Sequence, residues 1–578
     1  MKKILFLILA LSVLVTDFSC KKKVDDAYPN PETVNPPTGN LFAGYFTGML
    51  YTWKLYVQDY GENWWEEDLG AGMFAQTHER YVTSRYSWYS DYSNLTDGEN
   101  GNGFQGSSNG IQSQWNACYT KMKDWSTMQV GLKGMSAADQ TDVLIYYQLA
   151  TVMKDVWCAR LVDFFNKIPY FDAFKGNQGV YFPKYDDPKA VYDSVLVDLQ
   201  NISIALPLTY GKMSTAGKAL FVNQDVAFSG DVSKWVQYIN SQRLKFGIRI
   251  SGVDAANAQT AISGAIANLP TADMDFSTHT TDTPPGGGLW LRGVYESARI
   301  SFIPNVIEKR MNFGNLTYEP AIDDPRLPAI GMPTKFGDFR GMTMNADTNE
   351  VYYNAPRNQT YYNGYDNATQ SLASNARSMY NIVTFPQNEP NFPAKMWTLA
   401  EQDLFLAEAE LKGIVSTGKS AGQHINDAVV HSSNYWYRIN GLNAGYRSDL
   451  TVLHPAKSDV NIASYANKVQ ALFESQTSLE NKMEVIMQQK YIHLNISDSY
   501  ELWTELRRTR HPLLEPMVFA GKVNTPQPER LTYPTSELQT NSAQLLKVNS
   551  DNNFINPIFW VPSTKVGSSW YGTFLGPY

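Results

Sequence analysis

From Ser136 the chain reads SAADQTDVLIYYQLATVMKDVWCARLVDFF, and Val143, Tyr146, Leu149, Ala150, Met153, Val156, Trp157 and Phe164 recur at helical intervals. A serine start and Pro169 beyond the end predict one long buried helix there. A second helix is predicted in DPKAVYDSVLVDLQNISIALP, with Asp187 before it and Pro188 in its first turn. Val191, Val195, Leu199 and Ile202 align along it, and Pro207 marks its end. A third runs from about Met396 to a stop at Gly413, and a fourth opens on Thr477 with Glu480 three residues on, the spacing of a capping box. Polar stretches rich in Gly, Asn and Tyr lie between these, at 93–114, 276–300 and 335–393. No strand pattern of comparable length accompanies the helices, so the chain reads as mostly α with large excursions. Loops of this length that carry tyrosine and tryptophan point to function.

The N-terminus has its own pattern: Lys2 and Lys3, an apolar run from Ile4 to Val15, then Ser19 and Cys20. That run falls short of the roughly 20 residues a permanent span needs, and its position behind two lysines is that of a signal peptide. Cleavage before Cys20 would let the thiol carry a lipid, and two or more acyl chains anchor stably. Residues 1–19 are thus expected to be a lipoprotein signal peptide, 20–39 a Pro-, Asn- and charge-rich tether, and 40–578 a single domain. Hydrophobic residues make up 43% of the chain and the mean hydropathy is −0.34, as for a globular body. The net charge of −8 becomes −9 when Lys2, Lys3 and Asp17 leave with the signal, since they sum to +1. An acidic chain without basic runs is poorly suited to nucleic acid. Beyond Cys20 only Cys118 and Cys158 remain, and spacing leaves their pairing open.

A series of local motifs is more specific. In order they are DDAYPNPET at 25–33, RLVDFFNKIPYFDAFKG at 160–176, DVAFSGDVSKWVQYINSQRLKFGIRIS at 225–251, DDPRLP at 323–328, WTLAEQDLFLAEAELKG at 397–413, ELWTELRRTRHPLLEP at 501–516 and ERLTYPTSELQTN at 529–541. In this order the chain resembles the SusD/RagB family of Bacteroidota outer-membrane lipoproteins, in its SusD-like 2 branch. One departure is NPIFWVPS, where a closing tryptophan pair is usual. The resemblance implies a tetratricopeptide-like helical scaffold with long irregular ligand-binding loops. It also implies a partner, a SusC-like TonB-dependent outer-membrane transporter to which the protein passes oligosaccharides. Asp25 and Asp26 resemble the signal that sends such lipoproteins to the cell surface. A peptide-binding relative in a RagAB-type importer is the alternative, and a surface glycoside hydrolase a more distant one.

Sugar capture needs flat apolar faces for pyranose C–H groups and planar hydrogen-bonding side chains for hydroxyls. The densest such cluster is RYVTSRYSWYSDYSN, where Tyr86, Trp88, Tyr89, Tyr92 and Asn94 sit with Arg85 and Asp91. Family sites draw on this region and on a mid-chain loop, which adds Trp290 and Tyr295; Tyr361 and Tyr362, beside Tyr365, are a third group. Trp157, Trp235, Trp397 and Trp503 lie on periodic helices and are expected in the core. Glu66, Glu67 and Asp68 are adjacent in WWEED and are expected to form a solvated acidic turn, since glycosidic cleavage requires two carboxylates that face each other across the substrate. The resemblance places Glu401, Glu408 and Glu410 in the family's scaffold helix, where they are expected to pair with basic groups or water, and it implies that LRRTRHP at 506–512 pairs internally with acidic residues. His424 and His431 share a helical face, but with no further ligand in view they read as surface residues. No catalytic residue, metal or cofactor is expected.

Overall fold

The structure, a computed structural model, describes residues 40–57, 109–276, 303–334, 336–341, 378–385, 392–519, 522–524, 527–573 and 576. Its N-terminal part comprises α1 (Asn40–Val57), α2 (Asn109–Lys121), α3 (Lys123–Lys133), the single turn α4 (Ala137–Gln140), α5 (Leu144–Phe165) and α6 (Pro188–Lys212). α5 is buried from Leu149 to Phe165 because α1, α2, α3 and α6 all pack on it. A helix apolar all round is one enclosed by neighbours.

The pattern predicted one helix from Ser136, but Ser136 caps only α4, accepting from the Asp139 amide at 3.2 Å, and the helix restarts at Leu144. Tertiary bonds hold the break open. The Gln140 side-chain Nε2 donates to the carbonyls of Leu132 and Met135, and Asp142 accepts from the Ser214 backbone amide and hydroxyl at 2.7 and 2.5 Å. Asp142 also explains Gly217, where a Cβ would meet its carboxylate at 2.4 Å. α6 likewise departs from expectation by running through Pro207 to Lys212. Pro207 lies on the exposed face, while Leu206 and Thr209 stay buried on the other side and hold the helix through it.

The chain continues through α7 (Thr215–Gln224), α8 (Val232–Ile250), α9 (Ala255–Ala265) and the short strand β1 (Met274–Asp275), then α10 (Asn305–Asn312) and α11 (Leu327–Ile330). Strand β2 (Lys395–Trp397) pairs antiparallel with β1, placing Met274 opposite Trp397. A run of helix pairs follows: α12 (Leu399–Leu411), α13 (Ala421–Leu442), α14 (Asp459–Ser475), α15 (Leu479–Leu494) and α16 (Ser499–Thr509). Each packs on its chain neighbour, and α12 also reaches α15, the arrangement of a tetratricopeptide-like scaffold. Gly413, at φ 64°, closes α12 as predicted. The start of α15 is one residue later than expected: Ser478, not Thr477, accepts from the Asn481 amide at 3.1 Å, and Glu480 instead binds His511 and Lys565. A hairpin of β3 (Met517–Phe519) and β4 (Lys522–Asn524), then α17 (Thr535–Thr540) and α18 (Ser542–Leu545), lead to an irregular closing segment.

One continuous apolar cluster runs from Phe42 to Trp570, and a second around Leu404, Ile425, Val469 and Ile486 binds the helix pairs. Trp157, Trp235, Trp397 and Trp503 are fully buried, as their helical spacing predicted. Among the described residues no helix is long and apolar enough to cross a membrane.

Candidate functional site

α3, α5 and α6 leave between them a cleft of about 390 Å³, within the range of small-molecule sites. α3 contributes Trp125 and Gln129, α5 contributes Tyr147, Gln148, Thr151 and Lys154, and α6 contributes Ser194, Asp198 and Ile202. The segment after α5 adds Tyr170, Phe171 and Lys175. Spacings of three and four residues put each helix's contribution on one face. Asp186 holds the added segment in place, accepting from the amides of Tyr170 and Phe171 at 2.9 and 2.8 Å.

The aromatic floor is ordered by its own hydrogen bonds. Trp125 and Tyr147 stack at 6.0 Å with planes 19° apart. Trp125 Nε1 donates to Thr151 Oγ1 at 2.9 Å, and Gln129 Nε2 donates to the Tyr147 hydroxyl at 3.1 Å. Lys154 Nζ lies 4.4 Å from the centroids of both Trp125 and Tyr170 and 2.7 Å from Asp155. Burial opposes its charge, but Asp155 and Tyr170 outweigh that and hold its pKa above the ordinary lysine value. Burial pushes Asp155 up to about 6 against the pull of Lys154. Gln148 Oε1 is buried and finds no hydrogen-bond partner among the described residues, and Phe171 is 41% exposed at the rim. Ring surfaces, amides, a hydroxyl and a cation therefore converge on one concave surface.

The loop residues expected at the ligand site, Tyr86, Trp88, Tyr89, Tyr92, Asn94, Trp290, Tyr295, Tyr361 and Tyr362, lie outside the described residues, as do Cys20, Glu66 and Glu67. The cleft residues were not singled out from sequence. Their signal was a second stripe on the 144–165 helix, Tyr147, Thr151 and Lys154, distinct from the apolar stripe that revealed the helix.

The motif carboxylates and arginines are engaged in the interior. Asp163 accepts from Tyr192, from Tyr500 and Arg249 at 2.5 Å, and from Trp560 Nε1 at 2.7 Å. Arg508 grips both oxygens of Glu408 at 2.6 and 2.7 Å and reaches Glu505 at 2.6 Å. Burial raises the Glu408 carboxyl, but Arg508 and Lys412 more than offset this and hold it at about 2. Arg507 donates to the carbonyls of Asp163 and Glu529 and stacks on Trp503 at 3.4 Å. Glu401 faces Lys245 at 3.2 Å, and Glu410 accepts from Thr417. These are scaffold pairs, as the sequence suggested, and they are not available as a facing acid and base. Cys118 and Cys158 are both free and buried, and burial foremost raises the Cys118 thiol, so it is no ready thiolate. The reading of His424 and His431 as surface residues is overturned for His424, which is 3% exposed, and both rings turn toward Asp403 on α12. Sequence could not supply that partner because it comes from another helix.

The helical scaffold has counterparts of known structure. A chitin-binding protein superposes with a TM-score of 0.60 at 20% identity, over 90% of this chain and 99% of that one. A SusD homologue from Bacteroides uniformis gives 0.61 at 19% over 89% and 99%, and one from Bacteroides vulgatus gives 0.62 at 18% over 91% and 99%. At these identities the likeness establishes the shared fold. Comparison with curated proteins finds no match. Residues 69–534 match the SusD-like 2 family model, described as "Starch-binding associating with outer membrane". With that match over most of its length, and with the helix-pair scaffold that its relatives share, this chain belongs to the SusD-like 2 family.

Proposed function

We propose that this protein is a cell-surface lipoprotein, anchored through Cys20, that captures oligosaccharides and delivers them to a SusC-like TonB-dependent transporter in the outer membrane. The observation that carries this reading is the family match over residues 69–534, with its starch-binding, outer-membrane description. The name of the chitin-binding relative supports a glycan ligand. The cleft supports it chemically, since ring faces beside amides and hydroxyls suit pyranose C–H and O–H groups together. We place the principal contacts on the loop residues Tyr86, Trp88, Tyr89, Tyr92 and Asn94, with Trp290, Tyr295, Tyr361 and Tyr362, and an accessory contact in the Trp125–Tyr147 cleft.

Titration calorimetry of the full chain against a panel of oligosaccharides tests capture, and binding to at least one is expected. Trp88→Ala should weaken that binding by about 1–3 kcal/mol with folding intact, the cost of losing an aromatic anchor. Binding to oligopeptides and to no glycan would replace the sugar with a peptide. Delivery predicts co-purification with a large outer-membrane barrel; recovery without one would overturn the transporter partnership.

A further inference from the structure

Where α12 meets α13, Asp403, His424 and Asp427 bring one ligating atom each within 4.8 Å of one another. His424, Asp427 and His431 follow at intervals of three and four along α13 and so share the face turned to α12. Asp403 and His424 are buried, while Asp427 is half-buried and leaves an approach from solvent.

Hydrogen bonding decides where the His424 proton sits. The Thr417 hydroxyl lies 2.7 Å from Glu410 Oε1 and can only donate to that carboxylate. Its oxygen must then accept the other contact, from His424 Nε2 at 2.7 Å. Neutral His424 is thereby fixed with its proton on Nε2 and its lone pair on Nδ1. That lone pair faces Asp403 Oδ1, another acceptor, at 3.4 Å. An imidazolium would close on a carboxylate to about 2.7–2.9 Å, and His431 Nδ1 does approach the other oxygen of this same carboxylate, at 2.6 Å. A nitrogen and an oxygen bound to one tetrahedral zinc at about 2.0–2.1 Å are about 3.3–3.4 Å apart. The gap between His424 and Asp403 therefore has the width of a metal-bridged edge rather than of a hydrogen bond.

We infer that Asp403 Oδ1, His424 Nδ1 and the Asp427 carboxylate form a binding site for a divalent transition-metal ion of the zinc class. His431 holds the second oxygen of Asp403, Thr417 fixes the His424 tautomer, and Lys419 steadies Asp427 Oδ2 at 2.6 Å. Partners of this kind orient metal ligands and tune affinity. A water completes a tetrahedral shell on the Asp427 side. The ion would pin the 412–420 connection and both helices together.

The test uses the full chain in detergent, without an affinity tag, after treatment with a chelator. Zinc titrated by calorimetry should bind with one equivalent and raise the melting temperature, and cobalt should give the visible absorption of a tetrahedral site. His431→Ala should weaken binding roughly 10–100-fold through loss of the partner on Asp403. His424→Gln and Asp427→Asn should abolish the saturable equivalent; Asp427 is half-exposed, so its variant keeps the fold even if the buried one does not. Absence of a saturable equivalent in the wild type, or wild-type affinity in a folded Asp427→Asn, overturns the site and leaves a proton in the gap instead.

Discussion

Arg508 shows how much a single buried charge depends on its partners. It neutralises Glu408 and Glu505, both almost inaccessible to water, and its removal would leave them to the lysines beside them. Arg508→Met should cost about 3–5 kcal/mol in urea denaturation, the penalty of removing one partner of a buried ion pair. A loss below about 1 kcal/mol would mean that Lys490, 3.1 Å from Glu505, and Lys412, 2.6 Å from Glu408, suffice. Trp125 makes the opposite prediction, since it is half-buried and lines the cleft. Trp125→Ala should lower affinity for a bound oligosaccharide by about 1–3 kcal/mol, and unchanged affinity in calorimetry would remove the cleft from the binding surface. The acidic and basic residues of the motifs were legible as scaffold from the family resemblance of those motifs. Which partner each one takes was not, because Asp163 and Trp560 are 397 residues apart.

At the level of elements, helix ends respond to neighbours as much as to local signals. The start of α15 is a direct case. Ser478→Ala should destabilise by about 1 kcal/mol as a lost cap, whereas Thr477→Ala should change stability by less than about 0.5 kcal/mol, as for a surface site. Thermal denaturation separates the two, and equal effects would return the cap to Thr477. Thr477 and Ser478 both have capping chemistry, and the choice fell to Ser478 because Glu480 is drawn away to His511 and Lys565. The same logic governs Pro207, a break in the sequence that became an exposed irregularity within α6, and the turn at 141–143, where Asp142 is tied to the head of α7. Helix existence and type were legible from periodicity. Their ends were decided by contacts from distant segments.

Across the whole molecule, buried carboxylates set the response to acid. Burial raises Glu408 and Asp498, but Arg508 with Lys412, and Lys395 with Lys245, hold them at about 2, below their ordinary 4.5 and 3.8. Groups depressed in the folded state contribute stability above their ordinary values and lose it as pH falls toward 2. Asp155, raised by burial to about 6 from 3.8, acts in reverse: its contribution is present below 3.8 and is lost as pH rises through 6. Urea midpoints should accordingly fall steeply from pH 4.5 to 2, and Asp155→Asn should flatten the profile between 4 and 6. An unaltered profile in that variant would show that Asp155 titrates normally. The proposed anchor is tested separately: Cys20→Ala should move the protein from the membrane to the soluble fraction without altering its circular dichroism. By itself the sequence determined the helical class, the core tryptophans and the family, because periodicity and local motifs are written in neighbouring residues. It also pointed to Cys20, as an expectation. Only the tertiary structure decided that Tyr147, Thr151 and Lys154 face Trp125 across a cleft, and that Asp403 on one helix meets His424 on the next. Both depend on which faces of different helices come together, and packing of the whole chain sets that.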